Sequence, residues 1–517
     1  MTGETELLTD GADRPAAGRR LALSLIGAAA LSSLVVPGKP PGLGTTLVAF
    51  AIAAAIASAR PVRLDRTSML FGVSALALAA MPTLRSAEWL LAVDVLAAIG
   101  LGGLAVRGAV SWGEVVQTPL VVLGRLTAAP RFTLEPLVAR PGFLRRIGPA
   151  LRGTALGALL LLVFGFLFAN ADRAFAEIVG ELLVPDIDLS LLPARILVFG
   201  VVLLGSGALI LASRRHVGVG GEARAVQLPG GLGRTEWITA LTLLDLLFAG
   251  FVAVQVAVFF GGREHVLGTT GLTFAEYARQ GFFQLVAVGA LTFAVIAATV
   301  RWARRVSRTD QWILRVLLGS LSVLALVILA SAFRRLMLYE SVFGYTRLRI
   351  SVHAVIVWMA AVFLALLVAG VRMRAAWLPR AVVALSVLGL MAFTMLDPDR
   401  FIASRNVDRY LETGKVDLHY LSGLSADAVP ALVRLPPHLA SCALSSHAHL
   451  GPGAGAVDFT EKGHTVPGGG DGAEAGREAR SLLAWNYGRA RAMRLIPPKQ
   501  PAASSVACMA ATRKGLW

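Results

Sequence analysis

The chain has 517 residues, 56% of them apolar and only 16% charged, with a mean hydropathy of +0.68. So little charge cannot cover the surface of a soluble protein of this length, which excludes most soluble-enzyme classes. The net charge of +17 would suit nucleic acid, but the arginines sit in short clusters between apolar runs, as positive-inside topology requires, so no nucleic-acid partner is expected.

Residues 1–20 are polar and read as a disordered cytoplasmic N-terminus. The apolar run that follows lacks a small-residue cleavage site, so it reads as a retained first helix rather than a signal peptide. Runs of about 17–25 apolar residues match the ~30 Å hydrocarbon core of a bilayer. They fall near 21–37, 43–59, 68–84 and 87–106, making 21–106 an N-terminal group of transmembrane helices. Residues 107–149 read as a cytoplasmic or interfacial loop, in which SWGEVVQTPLVVLGRL has the pattern of an interfacial amphipathic helix. The main bundle, 150–397, has runs near 150–170, 190–212, 237–260, 281–300, 312–332, 350–371 and 379–396. These runs are apolar on every face, which argues for helices; a barrel would show alternating strands of about ten residues. The expected class is all-α: a polytopic transmembrane helical bundle of about eleven spans.

Past Asp397 the sequence turns polar. Phe401 to Thr413 reads as a helix stopped by Gly414, Asp417 can open a short helix through Leu424, and Ser425 can cap SADAVPALVRL. Residues 398–435 thus form a small helical extracytoplasmic cap. Residues 436–480 are rich in Gly and Pro and read as a disordered linker. SLLAWNYGRARAMRLI, 481–496, reads as an amphipathic helix with a basic face that could lie on the membrane, and 497–517 as a disordered tail. Cys442 and Cys508 are far apart and are expected to be free thiols, with a single extracytoplasmic disulfide as the alternative.

Arginines mark alternate loops: Arg14, Arg19 and Arg20, then Arg60, Arg63 and Arg66, then Arg107 through Arg152, with later clusters at 214–234, 301–308 and 372–380. This puts the N-terminus in the cytoplasm and, with an odd span count, the C-terminal region outside a bacterial inner membrane. Trp237, Trp302, Trp312 and Trp377 fall at inner boundaries, where an aromatic belt would place them. One outer loop breaks the charge rule, with Arg334, Arg335, Arg347 and Arg349.

No Walker loop, HExxH or CxxC is present, and the glycine-rich GVGGEARAVQLPGGLG follows no strand. His438, Cys442, His447 and His449 lie close in sequence but without a carboxylate or a frame, so neither a metal site nor a cofactor is expected. Two carboxylates lie within spans, Asp94 and Asp245, and such groups are costly unless paired or hydrated. The densest polar cluster is on the expected outer side: Asp172 and Arg173, then Arg334, Arg335, Arg347, Arg349 and His353, then Asp408, Arg409 and Asp417. Arginine forks suit phosphate and carboxylate oxygens, so an anionic lipid headgroup could dock there. The favoured expectation is an ion-paired cap in which Asp172, Asp408 and Asp417 neutralise the arginines.

Three of these stretches, LFANADRAFAEIV (167–179), RRLMLYESVFGYTRLRISVHAVIVWMA (334–360) and NVDRYLETGKVDLHYLSGLSADAVPAL (406–432), resemble a bacterial family of polytopic membrane proteins of unknown function, the domain of unknown function 4153/4173 type. With the hydrophobic framework the resemblance covers about 150–435. It implies a multi-pass helical protein and no catalytic residues. The sequence therefore points to a non-enzymatic membrane protein of the envelope, whose partners are the bilayer and either an anionic headgroup or an envelope protein. A proton-coupled transporter using Asp245, and an enzyme acting on a lipid-linked or phosphorylated substrate, are the alternatives.

Overall fold

The computed structural model describes residues 18–58, 65–108, 111–137, 157, 191–214, 232–260, 282–304, 307–372, 375–450 and 481–496. These residues are helical between turns, apart from a single bridge that pairs Leu232 with Ala303. Eight helices among the described residues are long and apolar enough to cross a membrane. The protein is an all-α, multi-pass membrane helical bundle. The expected span at 150–170 lies outside the described residues except for residue 157, and residues 451–480 and 497–517 lie outside them too.

The chain divides into two units. The first contains α1 (Arg19–Val35), α2 (Leu43–Ser58), α3 (Arg66–Ala79), the short α4 (Met81–Leu84), α5 (Glu88–Arg107), most of α6 (Trp112–Arg125), α7 (Ala129–Leu134) and α8 (Leu192–Arg214). Leu21, Leu25, Ala28 and Ala29 recur at helical spacing on α1 and pack with Phe132 of α7 and Leu203 and Ile210 of α8. Serine is tolerated on this face because its hydroxyl bonds within the helix: Ser32 Oγ donates to Ala28 O at 2.7 Å. α3 packs along α5. On α6, Trp112, Val116, Leu120 and Leu123 are exposed along one side, while Thr118 on the other touches Gly103 of α5.

The second unit contains α9 (Arg234–Phe260), α10 (Phe282–Trp302), α11 (Arg308–Phe343), α12 (Arg347–Arg372), α13 (Leu378–Leu396) and the C-terminal helices α14 (Pro398–Thr413), α15 (Leu418–Ser422), α16 (Val429–Leu432) and α17 (Pro437–Ala443). α11 is central and packs against α9, α10 and α12. Its Leu321, Ile328, Leu329 and Leu336 meet Ile356, Met359 and Phe363 of α12, and Phe363 stacks on Phe293 of α10 with ring centroids 4.1 Å apart. Ser307 and Asp310 form a capping box at the start of α11, and Asp310 also holds Arg234 Nε at 2.9 Å. The 36 residues of α11 span roughly 54 Å at about 1.5 Å per residue, well beyond a ~30 Å core. Its apolar stretch ends before Arg334.

Several expectations change. Trp237 is buried at 1% exposure in the core of the second unit, where it cannot serve an aromatic belt, whereas Trp302 and Trp312 are exposed. α14 begins at Pro398 rather than Phe401, because Asp397 takes a left-handed conformation (φ 59°) and caps the helix through Arg400 N, while the proline presets the first turn. The helix ends at Gly414, as the sequence predicts. Ser425 makes no side-chain cap. The segment after Pro436 does not start as a linker: α17 and a 3-10 turn at Ser445–Leu450 follow, with Leu439, Ala443 and Leu444 buried. Cys442 is buried and disulfide-bonded, not a free thiol. At the far end of the chain the helix opens at Tyr487 (α18, Tyr487–Leu495) rather than Ser481.

Candidate functional site

The turn between α11 and α12 is where the expected cluster condenses. Gly344 there has φ 77° and ψ 179°, a region open essentially only to glycine. This lets the chain leave α11 and present the Tyr345 backbone to α14. Asn406 of α14 closes on it from both sides: Tyr345 N donates to Asn406 Oδ1 and Asn406 Nδ2 donates to Tyr345 O, each at 2.9 Å.

Next to this lies the strongest charge pair. Arg347 Nε and Nη2 donate to Asp399 Oδ1 and Oδ2 at 2.8 and 2.6 Å, a bidentate fork. The Asp399 side chain is fully buried and that of Arg347 is one-third exposed. Ser425 N also donates to Asp399 Oδ2 at 2.8 Å. Arg347 N donates to Tyr420 Oη at 2.7 Å. Burial alone would raise the Asp399 pKa, but the Arg347 fork and Ser425 outweigh it and hold the carboxyl below the usual aspartate range. Burial pushes the Tyr420 hydroxyl up.

Arg349 and Arg409 bond to backbone carbonyls of the turn. Arg349 Nη1 donates to Phe343 O and Gly344 O, and its guanidinium lies 4.3 Å from the Tyr339 ring centroid. Arg409 Nη2 donates to Val342 O, and burial beside Arg349 lowers its pKa. Arg335 donates to Gln255 Oε1 of α9 at 2.9 Å, and Arg334 is exposed.

The expected neutralisers are not the ones found. Asp408 pairs with Arg434 at 2.6 Å, where both side chains are about half exposed, and Asp417 is an exposed cap for Tyr420 N at 2.9 Å. Neither reaches the arginines of the turn. Nine residues separate Asp399 from Asp408, which at 3.6 residues per turn puts them on opposite faces of α14. Asp399 shares its face with Ile402, Ala403, Asn406 and Val407, all buried. That apolar periodicity, with an aspartate in the first turn, was the signal available in the sequence. Asp172 and Arg173 lie outside the described residues. His353 contacts α11 instead: its Nδ1 sits 3.4 Å from Glu340 Oε1 and its ring meets Phe333 edge-on at 4.5 Å.

Asp94 is fully buried in α5. Asp245 lies on the seam between α9 and α11, where its Oδ2 accepts from Ser320 Oγ at 2.6 Å and its Oδ1 has no hydrogen-bond partner among the described residues. Three turns further along the same seam, Gln255 Oε1 accepts from Ser331 Oγ at 3.1 Å as well as from Arg335. Among the described residues no three His, Cys, Asp or Glu side chains gather into a group that could hold a metal ion.

A family model described as a domain of unknown function, DUF4153, matches residues 72–435. No curated protein and no solved structure matches the chain.

Proposed function

The chain belongs to the DUF4153 family, and we propose that it works there as a non-enzymatic multi-pass protein of the bacterial inner membrane, whose C-terminal helical cap is clamped to the bundle on the extracytoplasmic side. The observation that carries this reading is the Arg347–Asp399 fork. A guanidinium that would suit a phosphate headgroup is instead engaged by a buried carboxylate of the cap. With Arg349 and Arg409 bonded to the carbonyls of the turn, the cluster fastens α14 to the end of α11 and makes a fixed platform for an envelope partner. The arginine distribution supports an external cap. So does the bonded Cys442, since disulfides persist in oxidising compartments.

Arg347→Ala in lipid nanodiscs tests this. The expected result is that protease cuts residues 398–435 at least about tenfold faster while the lipids retained on native mass spectrometry stay the same. Loss of a bound anionic lipid from a cap that remains protected would favour the headgroup reading instead.

A second reading, a proton-coupled carrier, is favoured by the half-satisfied Asp245 carboxylate on the polar seam of α9 and α11. On this reading wild-type protein in liposomes moves protons and Asp245→Asn abolishes the flux. Equal flux from wild type, mutant and empty liposomes removes it.

A further inference from the structure

The turns of the first unit hold a segment from the other end of the chain. Leu43 N donates to Trp485 O at 2.8 Å and Gly44 N to Leu483 O at 2.6 Å. These are the first amides of α2, which have no partner within their own helix. Asn486 Nδ2 donates to both Pro82 O and Arg85 O at 2.6 Å, carbonyls at the end of α4. Arg489 Nη2 donates to Pro41 O and to Ala484 O, and Arg489 N donates to Asn486 Oδ1 at 3.0 Å. Asn486 and Arg489 are 1% and 7% exposed, although Leu482 and Trp485 beside them are largely open. Polar groups and backbone, not an apolar anchor, make this contact.

Gly42 provides the space for it. A Cβ there would stand 2.6 Å from Trp485 O and 2.7 Å from the Ala484 carbonyl carbon. Such a close approach of two backbones is open only to glycine. Helix-end donors, helix-end acceptors and a glycine-made gap thus converge on one strip of main chain, joined to the preceding described helices through residues 451–480.

We propose that the end of the first unit bearing the turns at 41–44 and 82–85 is a peptide-recognition site, that residues 483–489 are its resident ligand, and that it takes peptides of the form Asn-x-x-Arg. Tethering raises the local concentration of this ligand far above that of any free peptide, so the site is normally closed by the chain itself. The inference is independent of the cap and of its clamp.

The test uses the full chain with a protease site inserted between residues 460 and 470. After purification the chain is cleaved under reducing conditions, because Cys442 is disulfide-bonded. The C-terminal fragment is expected to co-elute with the remainder, and a synthetic peptide of residues 481–496 in excess should displace it. Asn486→Ala, which alters only the tail, and Gly42→Ala, which alters only the receptor side, are each expected to speed release at least about tenfold. A fragment that leaves the wild type on cleavage, or that stays equally bound in both variants, overturns the proposal.

Discussion

Asp399→Ala is expected to release the cap, whereas Asp408→Ala leaves it in place. Both aspartates accept from an arginine at 2.6 Å, so distance alone does not separate them. Burial does. Asp399 is fully buried, and removing it deprives Arg347 of its carboxylate, a loss that costs about 3–5 kcal/mol for a buried pair. Arg347 keeps a third of its surface in contact with solvent, so the lower end, about 3 kcal/mol, is the expected loss. Asp408 and Arg434 are each about half exposed, and such pairs contribute at most about 1 kcal/mol. Hydrogen exchange over residues 398–435 in nanodiscs checks this: protection collapses in the first variant and survives in the second. Acid should mimic the first variant. Because the folded Asp399 carboxyl titrates below its unfolded value, its contribution is complete above about pH 4 and disappears as pH falls through the lower folded value. A cap that loosened equally in both variants would show that the fork is incidental.

The helical framework was legible because membrane-length apolar runs leave few alternatives, and every described span lies on one of them. The clamp was only half legible. Composition and loop parity assigned Arg347, Arg349 and Arg409 to segments expected to share one side of the membrane, but charge counting treats every carboxylate of a segment alike. It selected Asp408, which is half exposed, and Asp417, which is exposed, and passed over Asp399, which the face of α14 buries. The backbone partners were invisible for a different reason. Arg349 and Arg409 bond to carbonyls of residues 342–344, and any side chain at the first two of those positions leaves the carbonyl in place. The same holds for Asn486, whose partners are the carbonyls of Pro82 and Arg85 some 400 residues earlier. Amphipathic spacing in SLLAWNYGRARAMRLI reads as a membrane-surface helix; two of its polar residues are in fact buried in protein.

Two glycines with nearly equal φ should respond very differently to the same substitution. Gly344 (φ 77°) and Gly414 (φ 72°) both end helices, and alanine is strained at either. At Gly414 ψ is 3°, the left-handed helical region, and an added Cβ meets nothing within 4 Å. Gly414→Ala should therefore cost about 1 kcal/mol, the backbone term alone. Gly344 has ψ 179°, where side chains are essentially excluded, at about 1–3 kcal/mol. Its Cβ would also stand 2.5 Å from Asn406 Oδ1. Asn406 cannot retreat without giving up both bonds to Tyr345, and leaving those buried groups unpaired adds about 1–3 kcal/mol. Gly344→Ala should thus weaken the cap by about 2–6 kcal/mol in all. Thermal unfolding followed by exchange within α14 distinguishes the two variants. If Gly344→Ala behaves like Gly414→Ala, the Asn406 contact contributes little and the Arg347–Asp399 fork must hold the cap unaided.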